Sequence, residues 1–215
     1  MAVQTPPTPT TRLILVRHGR TEFNAQGRVQ GGGRLDAVGR PQVMALARRL
    51  HAEPLAAVYS SPRARTLQTA RAIARHHHLP IRQRQILSDI SFGIYGGMLF
   101  SEARSQDPDL WRQWQERPHT VRFPQGDSLA DLRRRMERFL DETRQWHGGR
   151  TILAVTHDSP IRILVCLAKG QDDTHHNDPR LVVGVASVTV IELTPDGLRL
   201  ALHGDTEHLR NIDVT

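Results

Sequence analysis

Leu13–Val16 places four apolar residues in succession between polar flanks, the pattern of a short strand buried on both faces. Leu55–Tyr59 and Thr151–Val155 read the same way. After the first strand the polar stretch Arg17–Arg34 holds a loop or a helix start. Val43, Leu46, Ala47 and Leu50 then recur at i, i+3, i+4 and i+7, which predicts a helix capped by Asp36 and running to about His51. A second helix is predicted from Pro62 to about His78, with proline early, where its missing N–H is tolerated. Pro80–Gln85 reads as a third strand. Asp127 opens a long amphipathic helix to about Trp146, with Leu129, Leu132, Met136, Phe139 and Leu140 on one face and Gly148-Gly149 as its stop. Ser159–Lys169 is a further helix, ended by Gly170. Val182–Leu193 and Leu198–His203 flank Thr194-Pro195-Asp196-Gly197, a hairpin signal.

Strands alternating with helices predict an α/β fold: a three-layer α/β/α sandwich on a mostly parallel sheet with one antiparallel edge strand. Leu87–Gly126 breaks the periodicity with glycines, prolines and two tryptophans, and reads as a small helical insertion forming a cap. The domain reading is a disordered Thr/Pro-rich leader over residues 1–11 and a single domain over 12–215, with 87–126 as the cap.

A chain of 215 residues with 38% hydrophobic and 24% charged residues is built to bury a core, which excludes disordered and fibrous classes. Basic residues outnumber acidic ones 29 to 22, and the only lysine is Lys169, so the basicity is arginine. Arginine suits planar, bidentate contacts with phosphate and carboxylate. The arginines are scattered among acids at helical spacing, without dense basic runs or interleaved aromatics, which favours a small anionic substrate over nucleic acid. The single cysteine, Cys166, lies in an apolar stretch and reads as a buried structural thiol. No signal-peptide pattern opens the chain, and its longest apolar run is too short to cross a bilayer. The expectation is a cytoplasmic protein with no membrane partner; the sequence leaves its oligomeric state open, a homodimer among the options.

In a parallel sheet, ligands gather beyond the carboxyl ends of the strands. There the first strand runs into Arg17-His18-Gly19, the second into Ser60-Ser61-Pro62-Arg63-Ala64-Arg65, and Thr151–Val155 into Thr156-His157-Asp158. Two histidines and several arginines would meet at one rim, with no carboxylate pattern for a metal around them. Arginines recognise phosphate, and a histidine can attack phosphorus or move a proton.

These residues resemble a known family. Leu13-Ile14-Leu15-Val16-Arg17-His18-Gly19-Arg20-Thr21, with Asn24 and Gly27-Arg28-Val29-Gln30-Gly31, is similar to the signature of the histidine phosphatase superfamily, the phosphoglycerate-mutase-like fold. Ser60-Ser61-Pro62 with Arg65 and Gln68-Thr69-Ala70 resembles S-S-x-x-x-R-A-x-Q-T-A, and Leu87–Gly97 resembles L-x-E-x-x-F-G-x-W-E-G. Gly126-Asp127-Ser128 is similar to G-E-S, and Val155-Thr156-His157-Asp158 to the second-histidine motif. The resemblance implies hydrolysis of a phosphorylated small molecule, without cofactor or metal. It places His18 as the nucleophile that becomes a phosphohistidine, Arg17, Arg65 and His157 around the phosphoryl oxygens, and Asn24, Gln30 and Gly31 on the supporting loop. Asp89 stands where the family carries the Glu that protonates the leaving oxygen, one methylene shorter; Asp158 is the competing acid, or else caps the helix that follows it. Arg20 stands where Glu is commonest, Tyr95 and Gly96 replace the Trp and Glu of W-E-G, and the link through Gly32-Gly33-Arg34 is about two residues short. A phosphoglycerate mutase, or a phospho-ligand binding protein without turnover, is the alternative.

Outside these motifs the expectations are structural. His76-His77-His78, His175-His176 and Arg133-Arg134-Arg135 read as solvated surface, and Trp111 and Trp114 as packing within the cap. Arg63 is assigned to the surface or the pocket mouth.

Overall fold

The computed structural model describes residues 9–29, 32–210 and 212. Strand β1 (Thr11–Arg17) is followed by a short helix α1 (Glu22–Ala25), then α2 (Gly39–Leu50), β2 (Leu55–Ser60), α3 (Ala64–Ala74) and β3 (Ile81–Gln83). The segment expected as an insertion, 87–126, carries α4 (Phe100–Gln106) and α5 (Pro108–Glu116). The long helix α6 (Leu129–His147), β4 (Thr151–Thr156), α7 (Asp158–Ala168), β5 (Val188–Thr194) and β6 (Gly197–Asp205) complete the domain.

The strands form one six-stranded sheet in the order β3-β2-β4-β1-β5-β6. β1, β2, β3 and β4 run parallel, and β5 is antiparallel to both its neighbours. The one reversed strand therefore lies next to the edge, and β6 closes the sheet. Alternation of side chains along the strands separates two cores. Leu13, Leu15, Ile152 and Ala154 pack under Leu132, Met136 and Phe139 of α6, Ile161 and Leu164 of α7, and the aromatic residues of the insertion. Ile14, Val16, Val58, Leu153 and Val155 pack against Leu46 and Leu50 of α2 and Ala70 and Ile73 of α3. These are the three expected layers. Among the described residues no helix is long and apolar enough to cross a membrane.

Several boundaries differ from the sequence reading. Residues 1–8 of the expected leader lie outside the described residues, and Thr11 is already in β1, where its hydroxyl donates to His147 O (3.1 Å). Asp36 is not at the cap position of α2, which begins at Gly39 with Val38 before it; its carboxylate accepts from Val38 N (3.0 Å) and Gly39 N (2.6 Å) in the turn that leads into the helix. Helix α3 ends at Ala74, past which the bonds tighten to i→i+3 (His76 N to Ile73 O, 3.1 Å; His77 N to Ala74 O, 3.0 Å), and His78 then takes a left-handed turn (φ 53°) before Leu79-Pro80. Ser128, not Asp127, caps α6, in a reciprocal box with Asp131. Val182–Ser187 is not strand, since its backbone is committed to the end of β1: Val183 O accepts from Arg17, and Ala186 N donates to His18 O (3.0 Å).

Candidate active site

Strand register assembles the first part of the site. Arg17 of β1 lies opposite Thr156 of β4, and Val155 opposite Ser60 of β2. One residue further, His18, His157 and Ser61 leave three neighbouring strands side by side, held by His18 N to Thr156 O (3.2 Å) and Ser61 N to Val155 O (3.0 Å). All three follow buried runs, so the sheet itself holds the row in place.

His18 and Arg65 are 4% exposed and His157 is fully buried. Their hydrogen bonds define the tautomers. Arg65 Nε donates to His18 Nε2 (3.0 Å), so that atom carries a lone pair, and His18 Nδ1–H donates to Gly19 O (2.8 Å). Arg65 Nη2 donates to His157 Nδ1 (3.0 Å), so His157 Nε2–H donates to Ser61 Oγ (2.9 Å). Burial, then the guanidiniums of Arg65 and Arg17, hold His18 well below 6.5. His157 is depressed in the same sense, by burial first and Arg65 second. Both imidazoles are neutral at neutral pH, which a nitrogen nucleophile requires.

A cavity of about 150 Å³ opens on this row. Arg17, His18, Arg65, Asn24, Asp89 and Asp158 line it. Arg17 donates to Val183 O (2.5 Å), while its buried Nε has no partner among the described residues, a donor suited to an anion. Asn24 Oδ1 accepts from Thr21 N (3.1 Å) and Thr21 Oγ1 (2.9 Å) in a capping box, which leaves its NH2 as the group for a ligand. The first turn of α7 also reaches the cavity at Ser159, adding a helix N-terminus that favours negative charge. His157 is not a wall residue; it stands behind Arg65, its ring 5.3 Å from that of His18. Gln30 and Gly31 lie outside the described residues.

The two carboxylates are placed differently. Asp89 follows a segment tied to the sheet by Thr156 Oγ1 donating to Leu87 O (2.6 Å). Burial raises Asp89 to about 6, with Asp158 acting in the same direction and Arg65 against it. Asp158 is not the helix cap that the sequence suggested. It is the first residue of α7, and its carboxylate pairs with Arg162 and accepts from Val183 N (3.2 Å).

Further wall residues, to which the sequence motifs assign no role, are Phe23, Arg28, Phe92 and Phe100. Arg28 stacks over Phe23 (5.6 Å) and donates to Gly97 O (2.9 Å), which ties the loop after β1 to the insertion. Phe92 stacks on Trp111 (5.9 Å), and Trp111 and Trp114 are buried packing residues, as expected. His176 corrects the surface reading: it is buried beside Trp114 and held down at about 4 by burial and Arg162. Arg135 corrects it too, because its guanidinium grips the segment that bears Asp89. Cys166 is fully buried and Arg63 is exposed. Among the described residues no group of three or more His, Cys, Asp or Glu is arranged to hold a metal ion.

The chain resembles known proteins over most of its length. Phosphoserine phosphatase 1 of Hydrogenobacter thermophilus is 39% identical over 163 residues, 75% of this chain and 77% of that protein. The bifunctional protein Rv2228c of Mycobacterium tuberculosis is 37% identical over 87% of this chain, which spans about half (51%) of that longer protein. Among solved structures, Bacillus stearothermophilus YhfR matches with a TM-score of 0.88 and 32% identity over 93% of this chain and 99% of its own. A phosphoserine phosphatase mutant from Entamoeba histolytica in complex with phosphoserine matches with a TM-score of 0.81 and 25% identity, covering 93% of this chain and 99% of its own. A sequence model of the histidine phosphatase superfamily (branch 1) matches residues 13–206, and the protein belongs to that superfamily.

Proposed function

We propose that the protein hydrolyses small phosphomonoesters through a phosphohistidine on His18, with Asp89 as the acid. The observation that carries this is the neutral His18, its Nε2 lone pair beside Arg65 in a cavity that Arg17 and Asp89 share. His18 Nε2 attacks phosphorus as the P–O ester bond breaks, and the departing oxygen takes a proton from the Asp89 carboxyl. Arg17, Arg65 and the α7 N-terminus offset charge on the equatorial oxygens, so the work is positioning and electrostatics. His157 holds the Arg65 guanidinium in register. Water then attacks the phosphohistidine, with the Asp89 carboxylate taking its proton, and phosphate leaves.

Asp89 is favoured over Asp158 because it stays protonated up to about 6, whereas Asp158 is engaged with Arg162. The cavity of about 150 Å³ favours a compact substrate over a nucleic acid or protein chain. The name of the Hydrogenobacter relative makes phosphoserine the first ester to try. A cytoplasmic setting fits the one fully buried cysteine, Cys166.

A panel of phosphomonoesters assayed for phosphate release, with mutase turnover alongside, tests the activity. Mass spectrometry of quenched reactions should find one phosphate on His18 in wild type and none in His18→Ala, which should be inactive but folded. Normal turnover by His18→Ala would end the proposal.

A further inference from the structure

Arg135 sits in the second turn of α6 and does not line the cavity, yet it reaches the backbone on which Asp89 is mounted. Its Nη1 donates to Ser88 O (2.6 Å) and its Nη2 to Asp89 O (3.2 Å). The same Nη2 donates to the Asp127 carboxylate (2.9 Å). Asp127 in turn accepts from Ser91 N (2.9 Å) and donates its own N–H to Ser91 O (2.8 Å). Residues 88, 89 and 91 are thus clamped from the α6 side, while Thr156 holds Leu87 from the sheet side. The two chain segments press together closely. A Cβ on Gly126 would lie 2.4 Å from Ser91 O, so only glycine fits there.

We propose that Arg135, with Asp127 as its partner, is a positioning residue that sets the reach of the Asp89 carboxyl toward the leaving oxygen. The inference rests on the reading of Asp89 as the acid. An aspartate is one methylene shorter than a glutamate, so it must be brought to the ester by its backbone rather than by its side chain. A guanidinium spanning two consecutive carbonyls and a carboxylate is a rigid means of doing so. A displacement of about 1 Å at a reacting group costs up to about 100-fold in rate.

The test compares kcat and KM for a simple alkyl phosphate, whose leaving oxygen needs a proton, with those for p-nitrophenyl phosphate, whose leaving group scarcely does. Arg135→Ala should lower kcat/KM, which reports formation of the phosphohistidine, by about 10- to 100-fold on the alkyl phosphate, with p-nitrophenyl phosphate much less affected; the dephosphorylation step that both substrates share enters only kcat. Asp127→Asn, which keeps an acceptor for Ser91 N but loses the ion pair, should give a smaller loss of the same kind. Arg135→Lys should recover part of the rate. In an Asp89→Asn background, Arg135→Ala should add no further leaving-group-dependent loss.

Equal losses on both substrates, no loss, or a persisting leaving-group effect in the Asp89→Asn background would overturn the proposal. Should Arg135→Ala fail to fold, Asp127→Asn and Arg135→Lys are judged by the same two-substrate comparison. If Asp89→Asn alone shows no leaving-group dependence, the acid assignment is wrong. If it does and the Arg135 and Asp127 variants do not, only the positioning role falls.

Discussion

Replacing Asp89 by Asn should shift stability in the variant's favour as pH rises, because the folded protein holds this carboxyl in an unfavourable place. Burial raises Asp89 from 3.8 in the unfolded chain to about 6 in the native one, with Asp158 adding to the rise and Arg65 opposing it. Between those values the native state keeps a proton that the unfolded chain has lost. Wild-type stability therefore falls as pH climbs from about 4 to about 6, and the penalty is constant above that. A shift of about two pH units corresponds to ~3 kcal/mol. Asn does not titrate, so the gap between the Asp89→Asn variant and wild type should widen by that amount between about pH 4 and pH 7, whatever its offset at low pH. For a domain of this size, ~3 kcal/mol is ~6–12 °C in melting temperature. Urea unfolding of both proteins at several pH values across this window measures the gap directly. A gap independent of pH, or one that closes as pH rises, would refute the argument that burial governs this carboxyl. The expected outcome is a site that gives up stability to keep an acid protonated.

Three further outcomes are expected. Asp89→Asn should lower kcat/KM, which reports formation of the phosphohistidine, by about 10²–10⁴-fold for an alkyl phosphate and far less for p-nitrophenyl phosphate, while Asp158→Asn should show a smaller loss, similar for both. The reverse pattern in steady-state kinetics would move the acid to Asp158. EDTA should leave the rate unchanged, since Arg17 and Arg65 supply the positive charge, and orthovanadate should inhibit by resembling the trigonal-bipyramidal transition state; EDTA inactivation reversed by zinc or magnesium would contradict this. Gly93→Ala should destabilise the protein by roughly 2 kcal/mol or more, because a Cβ there would fall 1.8 Å from Pro124 O at a φ of +56°; an unchanged denaturation midpoint would mean that the loop yields freely.

The parallel strands β1, β2 and β4 were legible because strands buried on both faces read as unbroken apolar runs, and a strand that ends in Arg17-His18 or Thr156-His157 announces where its polar groups must emerge. The helices were legible from their period, though their ends were not. Caps depend on which side chain turns back to the backbone, and at α6 Ser128 did so while Asp127 reached across to Ser91. The long stretch after Gly170 misled for another reason. Val182 and Val183 are apolar enough for strand, but their backbone is taken up by the end of β1.

Local pattern, then, determined the layers, the approximate ends of the strands and the two histidines with their arginines, because burial and backbone preference act within a few residues along the chain. The tertiary structure decided the rest. Strand register aligned His18, Ser61 and His157, and packing of the 87–126 segment brought Phe92 and Phe100 to the same wall as Phe23, which is far from them in sequence. The same packing turned Arg135, one arginine in a run of three, into the clamp on the Asp89 segment, and buried His176 while its neighbour His175 stayed exposed. A charged or aromatic residue on an amphipathic helix or loop looks the same in sequence whether it meets water or another segment. Which of these it meets is settled only when distant elements pack.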